Sequence, residues 1–109
     1  MELHPGVFVS KAGVDKWEAD PEVPGSEVHV LVDADGVLAG LSRFLVADAP
    51  VPWTSSAREV FIVLEGSVRI EIEGGAVLEL GVGDMASLPE GLRTVWRVTA
   101  PFKEMWVIA

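Results

Sequence analysis

The chain has 109 residues, half of them apolar, with 8 Lys and Arg against 17 Asp and Glu and no cysteine. A single ordinary domain of that size can bury its own core, and the lack of cysteine rules out a disulfide framework, a thiolate zinc site and a cysteine nucleophile. The formal charge of −9 sets up a field that repels phosphate backbones and anionic lipid, so neither nucleic acid nor membrane is an expected partner. No stretch approaches the roughly 20 consecutive apolar residues of a membrane helix, and no basic segment followed by an apolar run opens the chain. A soluble, cytoplasmic protein without a targeting segment is expected.

Apolar residues recur with a period of two along most of the chain and nowhere at helical spacing, which predicts an all-β protein. Residues 1–26 stand apart as an irregular arm, punctuated by Asp20, Pro21, Pro24 and Gly25, and the arm is expected to lie on a barrel formed by residues 27–109. Val28, Val30 and Val32 alternate with polar neighbours to form a strand that ends in the turn Asp33-Ala34-Asp35-Gly36, and Val37 to Val46 returns as the second strand of that hairpin. The stretch ADAPVPWTSSA, with Pro50 and Pro52, reads as a loop or an edge.

The run EVFIVLEG is apolar on both faces, the pattern of a central strand covered on each side. In SVRIEIEGGAVLEL, Val68, Ile70 and Ile72 oppose Arg69, Glu71 and Glu73, and Gly74-Gly75 turns the chain back through Ala76, Leu78 and Leu80. The turns GVGD and LPEG then set off short strands around Met85 to Leu88, Thr94 to Thr99 and Phe102 to Ile108. Short strands with a turn between each predict a sandwich or barrel.

Glu59 and Gly66, the Gly74-Gly75 hairpin, and Gly83, Pro89 and Gly91 fall in the order and spacing of the two cupin motifs, G-x5-H-x-H-x3-4-E-x6-G and G-x5-P-x-G-x2-H-x3-N. The chain thus resembles the cupin superfamily, which implies an RmlC-like jelly-roll β-barrel. The tail GLRTVWRVTAPFKEMWVI, with Trp96 and Lys103, is similar to small single-domain cupins of the ureidoglycine aminohydrolase-like subgroup.

Metal-dependent cupins use three His and one Glu, a donor set that suits iron, manganese, nickel or zinc. On the resemblance, the first two His positions fall among Pro52, Trp53, Thr54 and Ser55, the third on Thr94, and the motif's final Asn on Val98. Glu59 alone keeps its residue type, so no metal and no cofactor is expected. His4 precedes Pro5 near the chain's start, and His29 alternates with valines and should face solvent or a partner subunit.

The motif turns Glu59 inward, where burial raises its pKa unless a cation or hydrogen-bond donor compensates. Arg43 and Lys103 are the candidate cations. Glu59 then serves as a general base or ligand anchor, or as one half of a structural ion pair. Phe61, Thr94 and Trp96 share its inward parity, and Trp53 or Ser55 stands at a former ligand position. Together these would line an apolar, aromatic pocket, or else fill the barrel outright. Neither His can be placed beside a nucleophile, and no P-loop or dinucleotide fingerprint is present.

The resulting expectation is a metal-free cupin that binds a small organic molecule. Two alternatives stand beside it: an enzyme of nitrogen or sugar metabolism, aminohydrolase-like or isomerase-like, using Glu59 as acid or base; and a structural or partner-binding barrel. A homodimer formed through the sheets and the arm is expected because a barrel has one interior and EVFIVLEG has two apolar faces. The competing expectation is that the arm, with Trp17, folds over its own barrel.

Overall fold

The computed structural model describes residues 2–11, 13–46 and 49–109. Those residues form ten strands and no helix, so none of them builds a helix long and apolar enough to cross a membrane. Strands β1 (Glu2–His4) and β2 (Val7–Phe8) make a small separate hairpin. The remaining strands are β3 (Glu18–Ala19), β4 (Ser26–Ala34), β5 (Val37–Phe44), β6 (Val51–Thr54), β7 (Glu59–Ile72), β8 (Val77–Gly81), β9 (Met85–Leu88) and β10 (Arg93–Ile108). They pair antiparallel in the order β3-β4-β5-β10-β7-β8, with β6 joined to β10 and β9 joined to β7.

The β4–β5 hairpin closes through Asp35 and Gly36, both at positive φ (55° and 79°), between the paired residues Ala34 and Val37. That is the two-residue turn whose twist suits a hairpin. Strand β5 stops at Phe44 rather than Val46, and Leu45 and Val46 are exposed. Within the segment expected to be a loop or edge, Ala47 and Asp48 lie outside the described residues. Val51–Thr54 is an edge strand paired only with β10, where Pro52 is tolerated because an edge needs no second ladder of donors.

Strands β7 and β10 organise the molecule. The first half of β7 pairs with the second half of β10, flanked by β5 and β9; the second half of β7 pairs with the first half of β10, flanked by β6 and β8. The strands expected separately at Thr94–Thr99 and Phe102–Ile108 are one 16-residue strand. Its ladder to β7 slips register between Thr99 and Glu104.

Opposite that slip, Leu64 and Glu65 are both exposed and Gly66 adopts φ +76°. The inward set on β7 changes there from Glu59, Phe61 and Val63 to Val68 and Ile70. This is a β-bulge, and the extra residue re-aims every side chain beyond it. A Cβ on Gly66 would run into the carbonyl oxygens of Pro101 and Thr99.

One core unites both halves: Phe44, Phe61, Val63, Val68, Ile70, Leu88, Trp96, Phe102 and Trp106, with Val23 inserted from the arm. On the outward face of β7, Val60 is 45% exposed and Leu64 43% in the single chain; the arm lies over β4 and β5.

Trp17 sits there with the Arg43 guanidinium 4.2 Å from its ring centre, a cation–π contact. His29, expected to face solvent or a partner, is held by the chain's own arm: its ring nitrogens lie 3.0 Å from the Lys16 carbonyl and 2.9 Å from Ser10 Oγ. A carbonyl only accepts, so Nδ1 donates to Lys16 and a neutral ring accepts from Ser10 at Nε2.

Candidate functional site

Between β4, β5, β6, β7 and β10 the barrel holds a partly open cavity of about 340 Å³. Three indoles line it, from Trp53 on β6 and Trp96 and Trp106 on β10, together with two carboxyl groups, Glu59 on β7 and Glu104 on β10. Val23, Asp20 and Glu22 border it from the arm. The turn carrying them is tied by Asp20 N donating to Ser26 O at 3.0 Å and Ser26 N donating to Val23 O at 3.1 Å.

Strand alternation explains the placement. Glu59 is paired across the ladder with Ile108, Phe61 with Trp106 and Val63 with Glu104, so the inward side chains of β7 and β10 form one continuous wall.

Glu59 is 4% exposed, and the Trp53 indole Nε1 donates to its Oε1 at 2.7 Å. Burial raises its pKa, and the Trp53 hydrogen bond offsets part of that effect. Glu104 is 6% exposed, and its Oε2 has no hydrogen-bond partner among the described residues. Burial pushes its pKa well above the ordinary carboxyl value, and the charge of nearby Glu59 pushes it further. The indoles are held in place: Trp106 Nε1 donates to Ser42 Oγ at 2.7 Å, and Trp96 Nε1 donates to Thr94 Oγ1 at 3.0 Å.

Of the residues singled out from sequence, Trp53, Glu59 and Trp96 line the cavity. Phe61 does not; it is buried in the core and packs on Trp96 with ring centres 4.9 Å apart. Thr94 also lies off the cavity wall, where its hydroxyl donates to Trp53 O at 2.7 Å and accepts from Trp96, holding both aromatic residues. Ser55 is buried in a turn, its hydroxyl bonded to Ala57 O and its carbonyl accepting from Gly91 N, and neighbouring Ser56 reaches the cavity instead.

Neither candidate cation meets Glu59. Arg43 points to the outer face, paired with Glu27 at 3.0 Å and stacked on Trp17. Lys103 lies 4.0 Å from Glu65, because it occupies the outward position between inward Phe102 and Glu104. Glu104 and Trp106 were missed although the signal existed: Phe102, Glu104 and Trp106 alternate in step with the inward Trp96.

The donors present do not fit a cupin transition-metal centre. Glu59 and Glu104 supply carboxyl groups but no imidazole, and hard cations such as calcium need about six oxygen ligands. Among the described residues, no group of three His, Cys, Asp or Glu side chains is placed to hold a metal ion.

Solved structures share this architecture. Ethanolamine utilization protein Q (EutQ) of Salmonella typhimurium LT2 is 23% identical, with a TM-score of 0.80 over 99% of this chain and 89% of that one. An RmlC-like cupin from Shewanella frigidimarina gives 15% identity and a TM-score of 0.74 over 91% and 86%. Hydroxypropylphosphonic acid epoxidase from S. wedmorenis gives 18% and 0.76 over 98% of this chain and 61% of the epoxidase. At these identities the likeness speaks for the fold alone. A search of curated proteins found no match.

The family model of the EutQ-like cupin domain matches residues 46–105, which does not reach the finer ureidoglycine aminohydrolase-like grouping that the C-terminal tail resembles. More than half of the chain lies within that match and the whole architecture agrees with it: the chain belongs to the EutQ-like cupin domain family.

Proposed function

We propose that this chain is a metal-free cupin whose barrel binds a compact organic molecule. The observation that carries the reading is the cavity itself: Phe61 and Trp96 pack on each other without filling it, and about 340 Å³ remain open beside Glu104, a buried carboxyl group whose Oε2 has no hydrogen-bond partner among the described residues. That volume lies at the small end of ligand sites, which run from about 300 to 1,000 Å³, and the mixture of aromatic wall and few polar groups is their usual make-up.

The test is a thermal-shift screen of small water-soluble organic compounds against the wild type and against Val28→Trp, which fills the cavity from β4. Compounds that bind the cavity stabilise the wild type and not the variant, by about 2.7 kcal/mol at a hundredfold excess over Kd. A screen in which no compound separates the two proteins refutes the reading. Elemental analysis of the same preparations should find no molar equivalent of a transition metal. One that survives chelation would show a rebuilt metal centre and defeat the metal-free part of the proposal.

The pair of buried carboxyls favours one second reading, an acid–base enzyme with Glu59 as the proton-transferring group. Glu59→Gln then abolishes turnover of a screened compound while its binding persists; loss of binding alone points to a ligand anchor.

A further inference from the structure

On the reading that the barrel is a ligand site, we infer that its ligand is an organic ammonium, with an N–H directed at Glu104 and an apolar body against Trp53, Trp96 and Trp106. Every charged side chain bordering the cavity is acidic: Asp20 and Glu22 from the arm, Glu59 from β7 and Glu104 from β10. No Lys, Arg or His among the described residues lines it. Arg43, Arg58, Arg97 and Lys103, each next in sequence to a wall residue, are turned outward onto Glu27, Ser87, Glu71 and Glu65.

The two carboxyls are not equivalent. Trp53 already occupies one oxygen of Glu59, whereas Oε2 of Glu104 is buried and accepts no hydrogen bond from the described residues. A buried acceptor without a donor marks the place where a donor is missing. A ligand ammonium supplies that donor and a compensating charge together, forming a charge-assisted bond, and indole rings attract cations through their electron-rich faces. The chain's net charge of −9 draws cations toward it.

The electrostatics add a signature. In the empty cavity Glu104 holds its proton to higher pH than a free carboxyl does. Seating a cation favours the carboxylate, so the proton leaves for solvent as the ligand enters. The other titratable groups of the cavity lining are Glu59 from β7, whose charge acts on Glu104, and Asp20 and Glu22 from the arm, none of which supplies a compensating positive charge.

Isothermal titration of the intact protein with benzylamine, benzyl alcohol and benzoate compares one skeleton as cation, neutral molecule and anion. Benzylamine should bind about tenfold or more tightly than benzyl alcohol, a gap of about 1.4 kcal/mol, and benzoate should give no heat. Benzylamine affinity should rise from about pH 5.5 to 8 with proton release detectable by changing the buffer, whereas benzyl alcohol affinity should not. Glu104→Gln should erase the preference for benzylamine over benzyl alcohol, the two compared within the variant; if that variant does not fold, Glu104→Met carries the comparison.

Benzyl alcohol or benzoate binding as well as benzylamine overturns the ammonium assignment and leaves the ligand site standing. The same holds if none of the three binds while the thermal-shift screen yields cavity ligands of another kind. Failure of both experiments overturns the ligand site as well.

Discussion

Replacing Gly66 by Ala should destabilise the protein by about 3 kcal/mol or more, lowering its melting temperature by more than about 10 °C. Two costs add. Gly66 has φ +76°, a conformation that costs an L-residue about 1–2 kcal/mol. The new methyl would also be driven into the carbonyl oxygens of Pro101 and Thr99, backbone atoms that cannot rotate aside, and overpacking of that kind costs about 1–3 kcal/mol more.

Gly36→Ala isolates the first cost, since Gly36 has φ +79° but open space where its Cβ would go; it should lose only about 1 kcal/mol. Urea unfolding of the two variants checks the argument. Equal losses would mean that the clash opposite the register slip contributes nothing and that β7 or β10 can relax there.

Replacing Glu104 by Met should raise stability at neutral pH, by about 1–3 kcal/mol if a buried unsatisfied polar group carries its usual penalty. The sign follows from proton linkage. The folded state holds the Glu104 proton to higher pH than the unfolded chain does, so the folded state binds more protons throughout the window between the ordinary carboxyl pKa and the raised one. Wild-type stability therefore falls as pH rises through that window and does not recover above it. Glu59, raised in the same direction, adds to the trend.

Methionine has similar bulk and no proton to lose, so the variant should lack the Glu104 part of the slope. Glu71 works oppositely, its pKa lowered by the Arg97 hydrogen bond; its contribution is lost as pH falls and is common to both proteins. Denaturant melts at about pH 5 and 8 decide the matter. A variant less stable than wild type at both values, with an unchanged slope, would show that Glu104 is satisfied in solution. A residue retained at a cost to stability is what a functional site leads one to expect.

Much of the architecture was legible because strand periodicity is a local property. The alternation of Val28 to Val32, the Asp35-Gly36 turn and the Gly74-Gly75 hairpin each need only neighbouring residues to specify them. The inward direction of Glu59 and Trp96 follows from the same parity once the spacing from Glu59 to Gly66 and from Gly83 to Gly91 identifies the barrel. Thr94 shares that parity, yet lies in the packed wall with its hydroxyl spent on Trp53 and Trp96. Period two tells which side chains share a face; it does not tell whether the space before them is open.

Tertiary structure decided the rest, for reasons that a local pattern does not carry. The bulge at Leu64 to Gly66 is set by how β10 slips past β7 near Pro101, so the joining of four expected half-strands into two long ones depends on both partners. Arg43 stands outward between inward Ser42 and Phe44, and its partners there, Trp17 far off in the arm and Glu27 on the paired strand β4, are supplied by the tertiary structure. The arm's seat on the β4–β5 face rests on Trp17, Lys16 and Ser10, residues far in sequence from the Arg43 and His29 they meet. The chemistry of the cavity arises in the same way: the strands that bury Glu104 bring Trp53 to Glu59 and, among the described residues, no donor to the second oxygen of Glu104. Sequence alone determined a β-barrel with an inward glutamate; only the packing of distant segments determined that a second glutamate stands beside it, that no cation among the described residues answers either, and that a space remains between them and three indoles.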